Sequence, residues 1–91
     1  MIDIARLKSL AARLQGWIEE LESARTYTHQ RIKEGAHRER NERIVRNLTM
    51  EIIDGKAELS NLLLAIVAAE DANEREEHEN EKADDFPEDR T

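Results

Sequence analysis

Along the first third of the chain apolar residues recur in alternating steps of three and four: Ile4, Leu7, Ala11, Leu14, Ile18 and Leu21, with Leu10, Trp17 and Ala24 widening the stripe. This is the pattern of an amphipathic helix laid against another helix. Asp3 stands where a cap is needed and no proline interrupts the run, so the spacing predicts a helix over about residues 3–32. Lys33, Glu34 and Gly35 then supply a basic last turn and the residue that most readily takes a left-handed conformation, which predicts a turn over about 33–36.

A second register follows. Val45, Leu48, Ile52, Gly55, Leu59, Leu62, Ile66 and Ala69 alternate by three and four without a change of phase, flanked by Ile44, Ile53, Leu63 and Val67. A true turn at Asp54-Gly55 would have no reason to preserve that phase, so one helix is expected over about 37–77. Asp-Gly is also a turn signal, and three helices are the alternative. A glycine in the stripe leaves room for a facing group, and Trp17 is the large side chain expected there. Leu64 lies off the stripe, which makes the apolar arc wider than one neighbouring helix covers.

The fold expected is therefore all-α: an antiparallel two-helix hairpin over residues 1–77, followed by an acidic mobile tail over 78–91. Pairing two hairpins into a four-helix-bundle homodimer would cover the remaining apolar surface. The residues expected at that dimer or partner interface are Leu14, Trp17, Ile18, Leu21, Val45, Leu48, Ile52, Leu59, Leu62, Leu63, Ile66 and Val67.

Composition changes this picture in two ways. Of 91 residues 38% are apolar, and without the alanines too few large side chains remain for a strong independent core, which favours association. Charge is also divided unevenly. Residues 1–69 carry 11 basic and 10 acidic side chains (+1), whereas residues 70–91 carry 3 and 11 (−8), and residues 25–46 hold 7 and 3 (+4). In an antiparallel dimer the acidic end of one chain would approach the basic turn of the other. The electrostatic contacts expected are Arg31, Arg38 and Arg43 with Glu74, Glu77 and Glu81.

Chemistry is sparse. There is no cysteine, which removes disulfides, thiolate metal sites and thiol nucleophiles. Glu34 and His37 have the Glu-x-x-His spacing of carboxylate metal bundles, but Gly35 separates them, and no other carboxylate falls on the inward stripe, so a solvated turn is expected there. No serine has a His and carboxylate at a recognisable spacing, and no Gly-rich phosphate loop exists. No catalytic residue, metal or cofactor is expected. The basic middle has Tyr27 as its one nearby aromatic and is interleaved with Glu39 and Glu42, which disfavours direct nucleic-acid binding. The longest apolar run, residues 62–69, is too short to span a membrane, and the N-terminus lacks a leader pattern, so a cytoplasmic protein is expected.

The function expected is that of a non-enzymatic protein-binding adaptor or inhibitor, acting on itself and on an unidentified protein partner. The rival readings are an acidic mimic of nucleic acid that inhibits a DNA- or RNA-handling enzyme, in the style of phage counter-defence proteins, and a chaperone or antitoxin completed by a different protein.

Overall fold

The computed structural model describes residues 2–85, with side chains for residues 2–77. Two helices, α1 (Ile4–Lys33) and α2 (Arg38–Asp85), form an antiparallel hairpin, and there is no strand among the described residues. At 1.5 Å per residue α1 is about 45 Å long and α2 about 72 Å. The molecule is accordingly a rod, 84 × 15 × 14 Å.

Each boundary has a local cause. Asp3 caps α1, its Oδ1 accepting from the Arg6 amide at 3.1 Å. At the other end Gly35 takes a φ of +79°; its amide donates to Ile32 O at 3.0 Å and the Ala36 amide donates to Arg31 O at 3.1 Å. This is the Schellman arrangement, and it needs a left-handed residue at Gly35. His37, with a φ of 39°, opens α2, its carbonyl accepting from the Asn41 amide at 2.9 Å, while Asn41 Nδ2 donates to Ala36 O at 2.6 Å. The Glu34–His37 segment is thus a solvated turn, not two positions on one helix face.

The apolar registers read from the sequence meet in a single seam. Ala11 and Ile18 of α1 pack against Ile52, Ile66 and Ala69 of α2, and all five are buried. α2 runs through Asp54 and Gly55 without a break, which settles two helices over three. A Cβ on Gly55 would sit 3.1 Å from Ile18 Cγ1 and 3.4 Å from Trp17 Cζ3, so the missing side chain admits Ile18 as well as the expected Trp17. Thr28 is buried in the seam and satisfied internally, its hydroxyl donating to Ala24 O at 2.8 Å. Lys8–Glu70 and Glu22–Lys56, each 3.4 Å, cross one side of the seam, and Asn73 Nδ2 reaches Ile2 O at 3.3 Å. These exposed ion pairs report the alignment more than they stabilise it.

α2 extends to Asp85, past the end near 77 at which its apolar periodicity stops. Residues beyond Asn73 have no part of α1 beside them, since α1 begins at Ile4, so α2 overhangs by roughly three turns. The remainder of the expected tail, 86–91, and the Glu81 side chain lie outside the described residues.

Candidate functional site

Once the seam is filled, a second set of large apolar side chains is left on the outside of α2. Met50, Ile53, Leu64 and Val67 are each more than half exposed, and Leu63 beside them is 49% exposed. With Ala57 and Ser60 they fall at 50, 53, 57, 60, 64 and 67, the same alternation of three and four as the seam but displaced from it by two residues. Two residues of helix turn this stripe roughly 160° away from the seam. α2 is thus apolar on two opposite faces, one covered by α1 and one bare.

Charges bracket the bare stripe at the same spacing. Arg43 and Arg46 continue it toward the turn, and Asp71 and Glu74 continue it toward the overhang; all four are exposed. Asp71 pairs with Arg75 at 2.9 Å, whereas Arg43, Arg46 and Glu74 have no ion-pair partner among the described residues.

No family model, no curated protein and no solved structure matches the chain.

The expected interface residues divide between the α1–α2 seam and the outside of the hairpin. Leu14, Ile18, Leu21, Val45, Leu48, Ile52, Leu59, Leu62 and Ile66 line the seam, covered by the chain's own other helix. Leu63 and Val67 lie on or beside the bare stripe, and Trp17 is 44% exposed with one edge against Gly55. Of the expected electrostatic residues, Arg38 is held by Glu42 at 3.1 Å, and Arg43, Glu74 and Glu77 are exposed. Arg31 is half-buried beside a shallow groove of about 330 Å³ that Tyr27, Thr28, His37, Arg40, Asn41 and Ile44 also line. Met50 and the regularity of the second stripe escaped the sequence reading. The signal was the same three-four spacing, two residues out of phase.

Among the described residues no group of three or more acidic or histidine side chains is placed to hold a metal. No described helix is long and apolar enough to cross a membrane.

Proposed function

We propose that this chain acts by binding protein, as a non-enzymatic adaptor or inhibitor built on a helical, dimeric scaffold. The observation that supports this is the bare stripe of α2. The hairpin seam uses one apolar face, and a second, comparably spaced face is left in water, where contiguous apolar surface marks interaction sites. The polar turn, the acidic overhang and the half-exposed Trp17 then remain for a target.

Light scattering across a hundredfold concentration range, at low and high salt, tests the reading. A persistent mass near twice the 10.6 kDa of one chain is the expected result. A well-folded monomer at every concentration overturns the dimeric scaffold. A loosely folded monomer would transfer support to the chaperone or antitoxin reading, in which a different protein covers the stripe.

A further inference from the structure

We propose that the bare stripe is a self-recognition surface: two copies pair α2 against α2, antiparallel, about a two-fold axis passing between residues 58 and 59. This rests on the dimeric reading above and specifies its geometry.

The stripe reads the same in both directions. An antiparallel second copy centred between Glu58 and Leu59 sets Met50 opposite Val67, Ile53 opposite Leu64 and Ala57 opposite Ser60, and by symmetry each pair forms twice. Large meets large at both ends and small meets small in the middle. The same centring sets Arg46 opposite Asp71 and Arg43 opposite Glu74, so every flanking charge meets its opposite.

Other alignments fail on these residues. A parallel pair puts Arg43 on Arg43 and Glu74 on Glu74. Sliding the antiparallel pair by one heptad places Ile53 against Asp71 in one direction and Leu64 against Arg46 in the other. Only the centred register satisfies apolar and charged positions together.

The area and the overhang agree with a second copy as occupant. Wholly covered, the exposed parts of Met50, Ile53, Leu64 and Val67 would supply roughly 450 Å² per chain and about 900 Å² for two, and the flanking charged side chains add the rest of the ~1,000 Å² that a specific interface needs. The overhang from Glu74 to Asp85, with seven acidic and two basic residues (−5), would run beside the first turns of the second copy's α2, where Arg38, Arg40, Arg43 and Arg46 lie. Because seam and stripe are on opposite faces of α2, the four helices would form a row, α1–α2–α2–α1, in place of the closed bundle expected from the sequence.

The test uses full-length chain. R43E/R46E makes both flanks acidic and D71K/E74K makes both basic. Each alone should raise the dimer dissociation constant at least about tenfold at low salt, and an equimolar mixture should restore the dimer. A wild-type dimer indifferent to both reversals overturns the proposal. Since the chain has no cysteine, Met50→Cys and Val67→Cys can be read directly: the mixture should cross-link on oxidation, and neither variant should cross-link with itself. Self-cross-linking of Met50→Cys would set residue 50 against its own copy, in place of Val67, and overturn the inference. A wild-type dimer with no 50–67 cross-link would overturn this surface while leaving the dimer standing, whereas a folded wild-type monomer overturns both. Should a reversal variant lose its helical circular dichroism, the cysteine pair, which alters no charge, decides.

Discussion

Three glycines in this chain face three different physical situations, and substitution separates them. Gly35 is left-handed in the turn, so Gly35→Ala should cost about 1–2 kcal/mol of stability in urea denaturation, although nothing crowds its Cβ. Gly16 is helical with no neighbour within 4 Å of an added Cβ. Gly16→Ala should therefore stabilise by about 0.8–1 kcal/mol, the propensity difference alone. Gly55 sets the same helical gain against contact with Ile18, the most deeply buried side chain at 1% exposure. Gly55→Ala should come out within about 1 kcal/mol of neutral, and Gly55→Leu should lose at least 1–3 kcal/mol to overpacking. An Ile18→Ala background, which removes the crowding Cγ1, should relieve the Gly55→Ala variant, measured as a double-mutant cycle.

At the scale of the element, α2 is one helix with two apolar faces, and adjacent isoleucines tell them apart. Ile52 is 2% exposed in the seam and Ile53 is 56% exposed on the stripe. Ile52→Ala should lower the hairpin's stability by about 2 kcal/mol or more, because it leaves a cavity against α1. Ile53→Ala should leave thermal unfolding at micromolar and lower concentrations nearly unchanged, while weakening the dimer in light scattering. Both faces carry the same three-four period, so periodicity cannot assign either to α1. What assigns them is the fit of Ile18 into the space at Gly55, and Lys8–Glu70 and Glu22–Lys56 report the alignment that results. The continuation of α2 to Asp85 was likewise missed by apolar pattern. Glu79, Glu81, Lys82 and Ala83 in that stretch favour helix without an apolar face.

At the scale of the whole molecule, charge is segregated along an 84 Å rod, basic at the turn and acidic at the overhang. Antiparallel pairing brings those ends together, so dimer affinity should fall as sodium chloride rises from 50 mM to 500 mM, leaving a salt-insensitive residue from the apolar stripe. A two-fold axis normal to the row of helices would leave both Trp17 side chains on the same broad face, away from the α2–α2 contact. Trp17 emission should therefore stay constant as the dimer is diluted to monomer. A shift in its maximum would place the tryptophan in the interface instead.

The amino-acid sequence by itself determined the hairpin. The Asp3 cap, the left-handed Gly35, the unbroken phase through Gly55 and the two matching registers each act over a few residues or repeat regularly enough to be read in line. Which of the apolar residues face α1 and which face water was decided only when the helices came together. Val67 and Ile66 are neighbours in sequence, alike in chemistry and each part of a three-four stripe, yet one is 63% exposed and the other 6%. A helix with two apolar faces has one packing partner in the chain, and shape fit at Gly55, where Ile18 needs the space of an absent side chain, selects the face that partner covers.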